Sequence, residues 1–252
     1  MRSRLLVVTA ALAFAGACAH GSMQSDTVSD EALARVPADQ MASVNQARVA
    51  ASKAKDNVAR ENLRLEQARK YAGVAKDEVN VAKAQLERDQ SAQDAADYAR
   101  NDQQAAQSQS AMGLARQRQQ VADAHVKAAD ALISYAQERV NAAQTAMDLA
   151  NARLELAKFK ALQASGDPAA ASVDGQAIAK RGEDARIALE QERAKVAQRK
   201  ASAAAARTSW VALRDQLPAD QRFGVGGSGA DTATNLSTNP SSDDDKELFN
   251  LL

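Results

Sequence analysis

Few residues in this chain belong to the types that catalyse reactions or bind metals. The 252 residues include two histidines, His20 and His125, and one cysteine, Cys18. These three do not stand at the spacings of a metal site or of a nucleophile–base pair, and no glycine-rich phosphate loop is present. Carboxylate pairs such as Asp77-Glu78 occur, but they need a water-excluded pocket before their pKa values shift for catalysis. We therefore expect no enzyme, no metal site and no cofactor, and we expect His125 to be a half-exposed surface residue.

Cys18 is the residue whose setting indicates a modification. Two arginines near the start precede an apolar run from Leu5 to Phe14, and the small residues Ala15-Gly16-Ala17 stand directly before the cysteine. A basic start, a short apolar segment and small residues at the cleavage point are typical of a secretory signal peptide. The apolar run is too short to span a bilayer. We expect residues 1–17 to be the signal peptide.

The segment Ala15-Gly16-Ala17-Cys18 resembles the lipobox of bacterial lipoproteins, in which signal peptidase II cleaves before a cysteine that carries two acyl chains. Ala15 departs from that pattern, because leucine is usual there. The resemblance implies that Cys18 is lipidated. Since Ala19 follows it instead of aspartate, it also implies an outer-membrane anchor that faces the periplasm, although surface display stays open. The alternative is ordinary cleavage before His20, at the Ala-x-Ala site Ala17-Cys18-Ala19, which would release a soluble periplasmic protein.

A heptad pattern of alanine predicts how most of the chain folds. From residue 112 to residue 164, alanine recurs at every seventh position, and a larger residue usually stands three positions before it. Such a stripe lies on one face of a helix and packs against another helix, and methyl side chains let the two backbones approach closely. The predicted seam residues are Ala115, Ala122, Ala129, Ala136, Ala143, Ala150 and Ala157, and the series ends at Ala164.

The composition also favours an all-α fold with a narrow core. Alanine accounts for 60 of the 252 residues, whereas aromatic residues make up only 3%. Bulky residues bury most of the apolar area of a globular core, so this chain cannot fill a wide one. Alanine, glutamine, glutamate, lysine and arginine are strong helix formers. We expect long helices that pack through thin seams.

A second heptad register runs from Val44 to Leu86 and is interrupted only at Glu61. The pattern is lost over residues 89–110 and resumes at Met112 with a shifted phase. Such a shift indicates either a turn or a stutter in one continuous helix. Arms of matched length on both sides of Asn101-Asp102 favour a turn there. We predict a long antiparallel coiled-coil hairpin over residues 41–164; Gly113 is an alternative turn position, and a single continuous helix is the competing fold.

The remaining segments are assigned from helix breakers and composition. Residues 18–40 are predicted to be a flexible, lipidated tether with one helical turn from Glu31 to Val36. Ser165-Gly166-Asp167-Pro168 ends the second arm and begins a loop over residues 165–175. Gly166 suits the C-terminal cap of that arm. A third helix is predicted over residues 176–217, with Trp210 as its anchor on the hairpin.

The C-terminal residues 218–252 are predicted to form a disordered tail. They are rich in glycine, serine, threonine and asparagine, and they carry two basic and six acidic residues, a net charge of −4 (2 − 6). The acidic run is followed by an apolar end. Two interpretations remain for this end: a docking motif that becomes helical on a partner, or an unselected end of a disordered tail. The residues of the possible motif are Leu248, Phe249, Leu251 and Leu252.

Charge and architecture together indicate a structural role. The chain has 32 basic and 32 acidic residues, interleaved along the helices, so no basic face is available for nucleic acid. We predict a lipid-anchored periplasmic coiled-coil structural or scaffold protein of the bacterial envelope, with envelope protein partners and a possible homo-oligomeric state. Alternatives are a soluble periplasmic adaptor or chaperone-like coil, and an amphipathic helix that binds lipid, although alanine gives that helix little apolar depth.

The predicted hairpin is loosely similar to the α-hairpins of periplasmic adaptor proteins and outer-membrane efflux proteins. In those families the hairpin is inserted between lipoyl-like or β-barrel segments. No pattern of alternating apolar residues typical of strands occurs in this sequence. The similarity therefore implies only an envelope hairpin that contacts other proteins.

Overall fold

Three long helices dominate residues 27–222, the part of the chain that the structure, a computed structural model, describes. They are α2 (Ala42–Tyr98), α3 (Asp102–Ser165) and α4 (Gly175–Arg214), and a short helix α1 (Asp30–Leu33) precedes them. Three 3-10 turns, at Ala38–Met41, Pro168–Ser172 and Ala219–Gln221, complete the regular structure. No β-strand occurs in this range, which confirms the predicted all-α class. The predicted signal peptide and most of the predicted disordered tail lie outside the described residues.

Helices α2 and α3 form the predicted antiparallel hairpin. The chain reverses at Ala99–Asn101, where Arg100 adopts a left-handed conformation with φ 53°. The Asn101 side chain accepts a hydrogen bond from the Gln104 backbone N–H at 3.1 Å and so caps α3. The continuous-helix alternative is wrong, and so is a turn at Gly113, which lies inside α3.

The alanine stripe of α3 lies in the helix interface over most of its length. The first five seam alanines, Ala115, Ala122, Ala129, Ala136 and Ala143, are buried, Ala150 and Ala157 are half-buried, and Ala164 is exposed. An α-helix drifts by about 20° per heptad against a strict seven-residue repeat, so a straight stripe leaves the interface after several heptads. In the C-terminal part of α3, the buried residues are therefore Leu149, Ala152, Ala161 and Leu162.

Helix α4 packs antiparallel on a second face of α3, which makes α3 the central helix of the body. Trp210 is buried against Val121 and Ala128, as predicted for its anchor role, and Ile178 is buried at the other end of α4. The helix ends level with Val121. Beyond that level the hairpin continues as two helices for about 30 Å, at 1.5 Å per residue. We call this two-helix part, residues 80–120, the tip.

The end of the body opposite the tip, which we call the base, is closed by the N-terminal segment. Val28, Leu33 and Val36 are buried together with Leu162 and Ile178. The Val28 backbone N–H donates to Glu155 Oε2 at 2.9 Å. The prediction of a flexible tether is therefore wrong for residues 28–40, because these apolar side chains cover the end of the core. The predicted helical turn is present there as α1.

The connection between α3 and α4 is held by caps and one ion pair. Gly166 ends α3 in the left-handed conformation, with φ 69°, as predicted for a C-terminal cap. The Asp174 side chain accepts hydrogen bonds from the first backbone N–H groups of α4. Arg35 pairs with Asp167 through two hydrogen bonds of 2.7 and 3.1 Å, which hold the pKa of the Asp167 carboxyl below its usual value, assisted by the Ala169 backbone N–H.

Enlarging the seam should destabilise the hairpin. Replacing Ala129 or Ala136 by leucine inserts three carbon atoms where α3 packs closely on α2, and overpacking of this kind costs about 1–3 kcal/mol. We expect each variant to lower the free energy of unfolding in urea by that amount. Ala164→Leu is the matched control, since Ala164 belongs to the same heptad series but is exposed. Equal stability of all three variants and the wild type would contradict the close-packed seam.

Candidate functional site

A buried polar cluster surrounds His125, where all three long helices meet. The imidazole is buried, with 4% of its surface exposed. Its Nδ1 lies 2.6 Å from Glu78 Oε2, and its Nε2 lies 2.6 Å from the Tyr71 hydroxyl. The ring stacks on Trp210 of α4, with 4.2 Å between ring centroids and 8° between ring planes. Helices α2, α3 and α4 therefore all contribute to this cluster, which we call the histidine cluster.

One arrangement of protons satisfies both ring nitrogens of His125. Nδ1–H donates to the Glu78 carboxylate, and the Tyr71 O–H donates to Nε2. Burial and, after it, the negative charge of Glu78 raise the pKa of Tyr71 to about 12, against the smaller opposing effects of Arg207 and Arg214. The hydroxyl therefore stays protonated at neutral pH and acts as a hydrogen-bond donor.

A carboxylate, a histidine and a hydroxyl in series also form the catalytic triads of hydrolases. In those triads the histidine removes a proton from a serine hydroxyl that reaches the substrate. Here the hydroxyl belongs to a tyrosine with a raised pKa, and the indole of Trp210 covers one face of the imidazole. The geometry favours a structural network that fixes three helices relative to one another.

The prediction that His125 is a half-exposed surface residue is wrong, because α3 carries a second heptad stripe. Residues at 4-3-4-3 spacing on this second face are all buried, and they are Val121, His125, Ala128, Leu132 and Tyr135. Val121 and Ala128 of this face pack on α4, and His125, Leu132 and Tyr135 lie where α2 and α4 both contact α3, whereas the alanine stripe packs on α2. The spacing was the signal in the sequence that could have located His125 in the core.

Glu61, the residue that interrupts the heptad register of α2, lies in a second buried polar cluster. It is 3% exposed, and both of its carboxylate oxygens lie 2.9 Å from nitrogens of Arg139 on α3. Arg64 of the same helix also pairs with it and is buried. Burial by itself would lower the pKa of Arg139, but the charges of Glu61 and Tyr135 and their hydrogen bonds raise it overall. The guanidinium therefore stays charged inside the interface.

A groove runs along the body between α2 and α4, with α3 as its floor. Its larger part has a volume of about 520 Å³ and reaches from Ser43 on α2 to Arg193 on α4. A smaller part of about 240 Å³ continues it to Glu61 and Arg139. The floor consists of small residues, among them Ala146 and Ala150, and three arginines, Arg153, Arg186 and Arg193, line the rim.

The other predicted site residues fall outside the described range. Cys18, the predicted lipidation site, precedes it, and the possible docking residues Leu248, Phe249, Leu251 and Leu252 follow it. Within residues 27–222, no three histidine, cysteine, aspartate or glutamate side chains are grouped as metal ligands. None of the helices in the same range combines the length and the hydropathy that a membrane span requires.

Comparison with protein-family models, with curated proteins and with solved structures gives no match for this chain. The histidine cluster and the groove each involve all three long helices.

Removing the Tyr71 hydroxyl should destabilise the body without changing its packing. Tyr71→Phe leaves His125 Nε2 buried without its donor, and an unsatisfied buried polar group costs about 1–3 kcal/mol. We expect that loss in the free energy of unfolding measured in urea at pH 7. Tyr98→Phe, at a side chain with 93% of its surface exposed, is the matched control and should behave as the wild type.

The same pair of variants gives a pH readout. The pKa of Tyr71 rises from 10.0 to about 12 on folding, so the stabilisation from the protonated hydroxyl is complete below pH 10 and is lost between pH 10 and 12. Over that interval the wild type should lose about 2–3 kcal/mol more than Tyr71→Phe, at 1.36 kcal/mol per pKa unit. Parallel pH profiles of the two proteins would contradict the buried, protonated tyrosine.

Proposed function

We propose that this protein is a lipid-anchored structural or scaffold protein of the bacterial envelope, which stands in the periplasm and acts through protein–protein contacts. The observation that carries the proposal is the rod-like body of packed helices. The 64 residues of α3 extend over about 95 Å at 1.5 Å per residue. Two sets of buried polar side chains in this rod pair across the helices, in the histidine cluster and around Glu61. A long rod of this kind can bridge a distance and can bind other proteins along its exposed helix faces.

The two ends of the rod differ in a way that suits an anchored protein. Val28 is fixed at the base by Glu155, whereas the turn Ala99–Asn101 lies at the far end of the tip. If Cys18 carries the lipid, nine residues separate it from Val28, and they span at most about 30 Å when fully extended. The base would then lie close to the membrane, and the tip would project away from it.

The tip is the part of the rod that suits contact with partners. It extends beyond α4, so both of its helices have outward faces there. Tyr98, beside the turn, is 93% exposed. Tyrosine is enriched in protein interfaces because its ring is apolar and its hydroxyl forms hydrogen bonds. We assign the contact with an envelope protein to this end.

The lipid-binding alternative is less well supported. A helix that lies on a membrane needs an apolar face that is free to enter the lipid. Most of the alanine stripe of α3 is already covered by α2, and the second stripe is covered by α4 and α2 together. A soluble periplasmic adaptor would have the same helical body. Whether Cys18 is acylated distinguishes the anchored scaffold from that adaptor.

Changing Cys18 to serine should detach the protein from the membrane. Two acyl chains give a stable anchor, and serine cannot carry them through the same thioether chemistry. We expect the wild type in the outer-membrane fraction with an acylated N-terminal Cys18, and Cys18→Ser in the soluble fraction or as an uncleaved precursor. Ala15→Leu restores the residue usual in the lipobox and should stay acylated. An unmodified N-terminus at His20, found by mass spectrometry, would contradict the anchor.

The proposed contact between the tip and an envelope protein is tested separately, in cells that express the full-length chain. A photo-cross-linking amino acid at Tyr98 should give adducts with an envelope protein, and the adducts should weaken in the Cys18→Ser background. The same amino acid at Arg60, an exposed position on α2 outside the tip, is the control. Equal adducts at both positions would contradict a contact at the tip.

A further inference from the structure

We propose that the groove between α2 and α4 binds the chain's own C-terminal segment, residues 242–252, as a fourth helix of the body. The groove is bounded by three long helices, and its floor of Ala146 and Ala150 is lined by methyl groups. Small side chains at such a floor let another helix approach to about 8 Å between axes. The proposal does not depend on the lipid anchor, because every group that it uses lies in the body or in the C-terminal segment.

The side chains that line the groove are apolar at its centre and mostly basic at its rim. Leu149 and Leu189 lie in the centre together with the alanines of the floor. Arg186 pairs with Glu183 and Glu190, whereas Arg153 and Arg193 form no ion pair with another residue of the described range 27–222. Two uncompensated guanidinium groups beside an apolar floor fit a segment that is apolar on one face and acidic at one end.

The sequence of the C-terminal segment has these two properties. Asp243, Asp244 and Asp245 are followed, after Lys246 and Glu247, by four large apolar residues, Leu248, Phe249, Leu251 and Leu252. In a helix these four side chains fall on one face, at spacings of three and four residues. Ser242, with Asp245 three positions later, is the pattern of a capping box at a helix start, and acidic residues in the first turn are favoured by the helix dipole.

The chain length allows the segment to reach the groove. The described residues end at Arg222, after α4, and the groove lies beside Arg186 and Arg193 in the first half of that helix. The distance back along α4 from Arg214 to Leu189 is about 38 Å at 1.5 Å per residue. Residues 223–241 can span about 60–70 Å when extended. Covalent attachment also raises the local concentration of the segment to the order of millimolar.

The test places a photo-cross-linking phenylalanine derivative at Phe249 of the full-length chain and maps the adducts by mass spectrometry. We expect adducts within one chain to groove residues such as Ala50, Ala150 or Leu189. The same derivative at Leu236, within the connecting residues, is the positional control and should not give those adducts.

Charge reversal then tests the basic rim. Arg153→Glu with Arg193→Glu should lower the yield of the groove adducts about tenfold, since attraction becomes repulsion at two positions. Arg60→Glu with Arg88→Glu makes the same change in net charge at exposed positions outside the groove and should leave the yield unchanged. Replacing Asp243, Asp244 and Asp245 by asparagine should lower the yield without touching the body.

Three results would overturn the proposal. Adducts elsewhere on the body would show that the segment does not occupy the groove. Adducts between two chains, or with another protein, would show that the occupant is a second copy or a partner. Equal yields in both charge-reversed proteins would show that Arg153 and Arg193 do not hold the segment.

Discussion

Close packing of α3 against two helices at once is the constraint on which the rest of the structure depends. One face of α3 presents alanine to α2, the next face presents Val121 and Ala128 to α4, and His125 lies between them, hydrogen-bonded to α2 and stacked on Trp210 of α4. Each buried alanine removes little apolar area from water, so a seam of this kind must be long to be stable. The 57 residues of α2 and the 64 residues of α3 satisfy that requirement and set the length of the rod.

The polar clusters explain how such a uniform seam holds one register. When alanine recurs every seven residues, sliding one helix by a heptad places alanine over alanine again at little cost in packing. The same slide would separate Glu61 from Arg139, and Glu78 and Tyr71 from His125. Breaking a buried ion pair costs about 3–5 kcal/mol, because the remaining charge stays buried without a partner. A polar residue at a seam position can specify register in this way at some cost in stability.

The parts of the fold that follow from local patterns could be predicted from the sequence. The alanine stripe predicts the hairpin, Asn101 predicts the turn, Gly166 predicts the cap, and Trp210 predicts the contact of the third helix. Each of these depends on residues that are near one another in the chain or on a repeat of one residue type.

The histidine cluster and the docked N-terminal segment depend on contacts between distant residues. The second stripe of α3 contains a histidine and a tyrosine, so a search for apolar residues does not detect it. The partners of His125 and Arg139 lie 47 to 78 residues away, and only the register of the folded hairpin brings them together. Likewise Val28, Leu33 and Val36 form no regular stripe, and their burial follows from the open end of the core that they cover.

The distance between spin labels at Ser52 and Asp148, measured by pulsed electron paramagnetic resonance on Cys18→Ser protein, tests the folded-back hairpin most directly. Both positions are exposed and lie near the same level of the rod. Packed helix axes are about 8–10 Å apart, so the hairpin predicts one narrow distribution below about 30 Å, including the labels. A continuous helix would separate the labels by about 145 Å, and a hairpin without a fixed register would give several peaks displaced by about 10 Å per heptad. Either result would contradict the structure described above.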